Sequence, residues 1–83
     1  MPVVHFSSAL MPHTGGVEQV TIDAPRVQEL LAALIARFPG LELELGDLAV
    51  AIDGEVHQDA AYEVLSPLSE IYFVPRIAGG EEG

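Results

Sequence analysis

Apolar residues recur along the chain with two different periods, and the switch from one to the other marks out most of its elements. Val3-Val4-His5-Phe6 alternates at period two, with Val4 and Phe6 on one side and Val3 and His5 on the other, which predicts a first strand. Residues 17–22 alternate again, with Val20 and Ile22 opposite Gln19 and Thr21. Pro12, Thr14, Gly15 and Gly16 lie between them and suit a connection, so the two segments predict a hairpin with a loose loop. The period then lengthens. Val27, Leu30, Leu31, Leu34, Ile35 and Phe38 fall at i, i+3, i+4, i+7, i+8 and i+11, one apolar stripe of an amphipathic helix. Asp23 and Pro25 stand where a cap and a first-turn proline would, and Pro39-Gly40 stops the helix. Leu41-Glu42-Leu43-Glu44-Leu45 returns to period two, as a short edge strand or a crossover that tucks three leucines inward.

Residues 48–52 read as a better strand, ended by Asp53-Gly54, the dipeptide of a tight hairpin turn, after which Glu55, Val56 and His57 return. Residues 59–65 are irregular or weakly helical, with Tyr62 and Leu65 as expected inward anchors. Ser66-Pro67-Leu68-Ser69 suits a turn with Pro second. Ile71-Tyr72-Phe73-Val74 is a final strand, and Pro75, which has no N–H to donate, should end its regular pairing. The order is β-β-α-β-(β)-β. In so short a chain it predicts an α+β domain, a mixed four- to five-stranded sheet packed on one main helix. With the first and last strands parallel and adjacent at the centre, this is the β-grasp arrangement. The domain is expected over residues 1–77, with 78–83 as a flexible tail.

Composition narrows what such a domain does. Eighty-three residues make one core, and 49% hydrophobic residues are enough to fill it. Thirteen acids stand against Arg26, Arg37 and Arg76, a formal charge of −10. Nucleic-acid and anionic-membrane binding need clustered cations, so neither is expected; a protein partner with a basic rim is the natural complement. There is no Cys, hence no disulfide, thiolate metal site or cysteine nucleophile. No charged leader or long apolar run is evident, so a cytoplasmic location is expected. His5, His13 and His57 have no metal-ligand spacing, Asp53 and Glu55 are explained by hairpin chemistry, and Ser7 and Ser8 lack an elbow motif. No catalytic set emerges, and no metal or bound cofactor is expected. Sheet positions left uncovered by the single helix, most plainly Phe6, Tyr72 or Val74, would instead form an apolar docking face rimmed by acids.

The chain closes on Ile77-Ala78-Gly79-Gly80, nearly devoid of side chain at its end, followed by Glu81-Glu82-Gly83. Such a segment is either a frayed terminus or a thread slender enough to enter another protein's active site. The absence of Lys bears on the second reading, because a chain without side-chain amines does not readily acylate itself once its carboxylate is activated.

Taken together these stretches resemble the MoaD/ThiS group of ubiquitin-like sulfur carriers over residues 3–80. The resemblance rests on Phe6, on Val27-Gln28-Glu29-Leu30-Leu31-Ala32-Ala33-Leu34 and on Phe38-Pro39-Gly40-Leu41. It continues through Val50-Ala51-Ile52-Asp53-Gly54-Glu55 to Phe73-Val74-Pro75-Arg76-Ile77-Ala78-Gly79-Gly80. It implies a carrier rather than an enzyme. In such carriers an activating enzyme of the ubiquitin-activating type uses ATP to adenylate the terminal glycine carboxylate. The adenylate becomes a thiocarboxylate, whose sulfur goes to a biosynthetic acceptor. On that reading Gly80 is the reacting residue and Gly79 its slender neighbour. Phe6, Tyr72, Val74, Pro75, Arg76, Ile77 and Ala78 would meet the partners: the adenylating enzyme and a larger synthase subunit. The molybdenum-cofactor branch fits best; thiazole, cysteine or a siderophore precursor would be other acceptors. This chain departs from the pattern in four places. Glu81-Glu82-Gly83 follows the glycine pair and implies removal, as by a metal-dependent peptidase. Arg76 replaces a second Pro, Leu68-Ser69 stands where Gly-Asp is common, and Arg26 takes the usual Thr or Ser cap position, leaving Asp23 to cap the helix. The rival readings are a ubiquitin-like protein modifier and a β-grasp interaction module without the chemistry.

Overall fold

In the computed structural model the described residues are 1–57 and 59–75. In chain order they form β1 (Val3–His5), α1 (Met11–Thr14), β2 (Gln19–Thr21), α2 (Val27–Arg37), α3 (Leu41–Leu45), β3 (Leu48–Ile52), β4 (Glu55–His57) and β5 (Glu70–Pro75). Among the described residues the five strands make one sheet in the order β2-β1-β5-β3-β4. β1 and β5 are parallel and adjacent, with Val4 opposite Ile71 and His5 opposite Tyr72; every other pairing is antiparallel. The β-grasp topology predicted from the element order is therefore the one observed.

One face of this sheet is the core. Val4, Val20, Val50, Ile71 and Phe73 point to the side covered by α2, where Val27, Leu30 and Leu34 are fully buried. The turn at Asp53-Gly54 has positive φ at both residues, 51° and 88°, the backbone that lets a two-residue loop follow the sheet's twist. Asp53 does more than turn. Its N–H donates to Glu70 O at 2.9 Å, and its Oδ1 accepts from Glu70 N–H at 2.9 Å, tying the hairpin tip to the start of β5.

Four expectations are corrected. Leu41–Leu45 is a short helix rather than a strand or a crossover burying all three leucines. Leu41 and Leu45, four residues apart, are buried on one side, and Leu43 is 84% exposed on the other. Residues 10–16 are not wholly loop: α1 is stopped by Gly15 in the left-handed region, and the buried Thr14 hydroxyl lies 2.9 Å from Val17 O. Asp23 does not cap α2. Arg26 is the N-cap, without a side-chain cap bond, and the orphan amides of Val27 and Gln28 donate to Glu63 O and Ala61 O at 3.1 and 2.9 Å. Loop backbone thus supplies what a side chain normally supplies. That role explains why residues 61–64 follow the helix end, with Arg26 and Val64 forming an isolated bridge. It also turns Tyr62 outward, 77% exposed, while Ala60 and Leu65 provide the anchoring.

The turn at residues 66–69 closes as expected, Ser69 N–H donating to Ser66 O at 3.1 Å. Ser69 is itself buried, and its Oγ accepts from Ser66 N–H at 2.9 Å, so the Leu68-Ser69 pair completes the turn.

Candidate functional site

β5 lies at the centre of the sheet, bonded to β1 on one side and β3 on the other. Its first residues are locked by the Asp53 clamp, and its last described residue, Pro75, is exposed opposite Leu48. Whatever follows Pro75 is therefore attached to a strand held on both sides, because displacing it would break two ladders at once. Arg76, Ile77, Ala78, Gly79 and Gly80, which the sequence singles out, lie outside the described residues, as do Glu81, Glu82 and Gly83.

The sheet face away from α2 has no element over it among the described residues. Alternation from the buried Ile71 and Phe73 puts Glu70, Tyr72 and Val74 on this side. The ladders then extend the face sideways in rows. One row runs Gln19, His5, Tyr72, Ala51, Val56 across all five strands, and the neighbouring rows hold Val3 with Glu70 and Ala49 with Val74. Tyr72 is 43% exposed, Val56 is exposed and Val74 half-buried. An apolar strip thus runs from Tyr72 toward the chain's exit at Pro75, with Glu70 at its start.

Of the three residues expected on a docking face, Tyr72 and Val74 lie on the open side of the sheet and Phe6 does not. Phe6 is 5% exposed and packs edge-on against Phe38 with ring centroids 5.8 Å apart. The correction follows from alternation itself, because Phe6 shares the side of Val4 and that side is the core. The sequence reading did not single out His5 as a site residue, yet it belongs to the face. Its ring stacks on Tyr72 at 4.4 Å and 8°, and its Nε2 lies 3.1 Å from Glu70 Oε1. The available signal was its outward parity with Val3, which needed the β1–β5 register to become a contact.

The other histidines also lie beside acids: His13 is 3.8 Å from Glu44, and His57 is 3.3 Å from Glu55 and 3.9 Å from Glu63. Among the described residues no group of three His, Cys, Asp or Glu is arranged to hold a metal ion, and no helix is long and apolar enough to cross a membrane. A cleft of about 200 Å³ between Met1, Pro2, Pro25, Leu65 and Pro67 lies at the opposite end from Pro75, and Asp23 is its one charged side chain.

A β-grasp domain with this strand order and a bare, partly apolar sheet face is of the ubiquitin-like fold class. The family model described as the ThiS family matches residues 4–80, and the chain belongs to that family of sulfur carriers and small modifiers, whose members are carriers, not enzymes. Solved structures agree on the fold. The chain is similar to one in the complex of BexX and CysO from Amycolatopsis orientalis, with a TM-score of 0.82 and 20% identity over 96% of this chain and 100% of that one. It is also similar to small archaeal modifier protein 1 from Methanosarcina acetivorans, with a TM-score of 0.78 and 19% identity over 95% of each chain. The protein of the same name from Haloferax volcanii gives 0.70 and 23% identity over 95% of this chain and 98% of that one. No curated protein sequence matches the chain.

Proposed function

We propose that this protein is a sulfur carrier whose Gly80 carboxylate, freed by removal of Glu81-Glu82-Gly83, is activated and charged by a partner enzyme. The observation that carries the reading is the family match reaching residue 80, together with a central strand whose last described residue, Pro75, is exposed. A carboxylate is a poor electrophile. An oxygen of Gly80 attacks the α-phosphorus of ATP in the adenylating enzyme and pyrophosphate leaves; a sulfide equivalent then adds to the acyl carbon and AMP leaves. The resulting thiocarboxylate carries a nucleophilic sulfur without any Cys on the carrier, in keeping with a sequence that has none. Gly79 and Gly80 let the backbone enter a narrow channel. A chain without Lys offers no side-chain amine to intercept the adenylate.

The outer face of Tyr72, Val74 and Val56 is the docking surface for the adenylating enzyme, and then for a larger synthase subunit. The charge of −10 favours a basic rim around the complementary surface. The sulfur acceptor we favour is the pterin of the molybdenum cofactor, with thiazole, cysteine and siderophore precursors as other candidates. The last three residues place two acids beside the reacting glycine, so the uncut chain is an inactive precursor and a metal-dependent peptidase is the expected processing enzyme. Cytoplasmic ATP and sulfur-transfer enzymes make the cytoplasm the expected compartment.

The likeness to small archaeal modifier protein 1 favours a second reading, in which the activated glycine is joined to amines of other proteins. One experiment separates the two. A chain ending at Gly80 is incubated with ATP and the ubiquitin-activating-type enzyme of its own cell, and the products are weighed. Pyrophosphate exchange and sulfur in place of one carboxylate oxygen support the carrier; amide-linked adducts support the modifier. No exchange by this variant overturns both.

A further inference from the structure

We infer that His5 is a positioning residue that holds Tyr72 ready as the aromatic anchor of the outer face, an assignment that rests on the carrier reading above. A tyrosine on an open sheet face ordinarily samples several rotamers and loses that freedom when a partner closes over it. Here His5 is the in-register neighbour on β1, and its ring lies parallel to the Tyr72 ring at 4.4 Å. On the other side the in-register neighbour on β3 is Ala51, whose methyl gives the ring little support. The stack therefore has one wall, and His5 is that wall.

The wall is itself fixed. His5 Nε2–H donates to Glu70 Oε1 at 3.1 Å, and Glu70 N–H donates to Asp53 Oδ1 at 2.9 Å. A relay of hydrogen bonds, passing through the Glu70 backbone, thus runs from the hairpin tip to the ring on the solvent side. The fold does not need the His5 end of it, because the β1 and β5 strands are held by Val4, Ile71 and Phe73 on the buried side. Exposed polar contacts such as His5–Glu70 contribute little to stability. What the relay does is remove side-chain freedom from a half-exposed aromatic in the middle of the face. A pre-ordered aromatic at the centre of a contact is the feature that carries binding energy in protein interfaces. The partner surface it fits is an apolar recess for the Tyr72 ring, with a basic side chain on the Glu70 side, since the Glu70 carboxylate is more than half exposed beside the ring of His5.

The test uses chains ending at Gly80 with the ubiquitin-activating-type adenylating enzyme of the same cell, and reads ATP–pyrophosphate exchange against carrier concentration. His5→Ala is expected to raise KM for the carrier about 3- to 10-fold, the range an aromatic pair contributes, with kcat unchanged. His5→Phe, which keeps the stack without the hydrogen bond to Glu70, should bring KM back to within about twofold of the parent. Tyr72→Ala should raise KM further, and adding His5→Ala to it should do nothing more, because a residue that acts through Tyr72 has no effect once Tyr72 is gone. Thermal unfolding of His5→Ala within a few degrees of the parent keeps the comparison one of docking. An unchanged KM for His5→Ala, a His5→Phe variant as weak as His5→Ala, or additive effects in the double variant would overturn the assignment alone. No exchange by the parent chain overturns the carrier reading and this assignment with it.

Discussion

Asp53 is where turn chemistry and the presentation of β5 meet, and its two contributions can be measured apart. The residue sits at φ 51°, in the left-handed region, and its carboxylate accepts the Glu70 N–H bond at 2.9 Å. Asp53→Ala removes both advantages. An L-residue without a short polar side chain loses roughly 1 kcal/mol in that backbone region. The hydrogen bond adds about 1 kcal/mol, the value of an ordinary hydrogen bond rather than of a charged one because the site is open to water. The expected loss is about 2 kcal/mol, or a fall in Tm of roughly 8–16 °C for a domain of this size. Asp53→Gly restores the backbone tolerance and loses only the bond, so it should cost about half as much. Asp53→Asn keeps an acceptor and the left-handed tolerance and should stay within about 1 kcal/mol of the parent. Urea and thermal unfolding followed by far-ultraviolet circular dichroism give the three values. Glycine destabilising as much as alanine would refute the strain component, and alanine matching the parent would refute the clamp altogether.

Four further outcomes follow from burial. Leu34→Ala, at a fully buried position of α2, should lower unfolding free energy by ~2–5 kcal/mol in urea titration. Phe6→Ala should cost ~3–5 kcal/mol, whereas an exposed docking residue would be close to neutral in the same titration. Leu43→Glu, at 84% exposure on α3, should shift stability by less than about 0.5 kcal/mol. Leu41→Glu, fully buried, should prevent cooperative unfolding, and equal effects at the two positions would contradict the helix.

Much of the fold was legible because its signals are local. The α2 stripe and the Asp53-Gly54 turn each require only the residues they contain, and the element order then leaves little choice for a single helix on a mixed sheet. The failures share a cause. Leu41–Leu45 has three leucines at alternate positions, a pattern that suits a strand burying all three or a one-turn helix burying the outer two. Period alone does not separate them at five residues; the Pro39-Gly40 approach and the packing of Leu41 and Leu45 on the core decide. Asp23 looked like a cap because a carboxylate near a helix start usually is one. The amides of α2 were already satisfied by carbonyls from residues 61 and 63, about thirty-five positions later in the chain, a contact no local signal reports.

The candidate site was legible in its residue types and not in its geometry, for a related reason. Alternation sorts each strand into two sets, but which set faces water is a property of the assembled sheet. Phe6 and Tyr72 have equal claim to a docking face in the sequence; only the ladder, in which Val4 pairs with Ile71, sends Phe6 inward with them and leaves Tyr72 out. The same ladder makes a contact of His5 and Tyr72, sixty-seven positions apart. It also places the small Ala49 and Ala51 beside Val74 and Tyr72, so the aromatic and the valine stand over their neighbours. Parallel pairing of the first and last strands is therefore what builds this face: it brings the start of the chain to the base of its exit. A partner that grips the face at Tyr72 holds the strand from which residues 76–80 depart, and the grip and the glycines belong to one continuous piece of backbone.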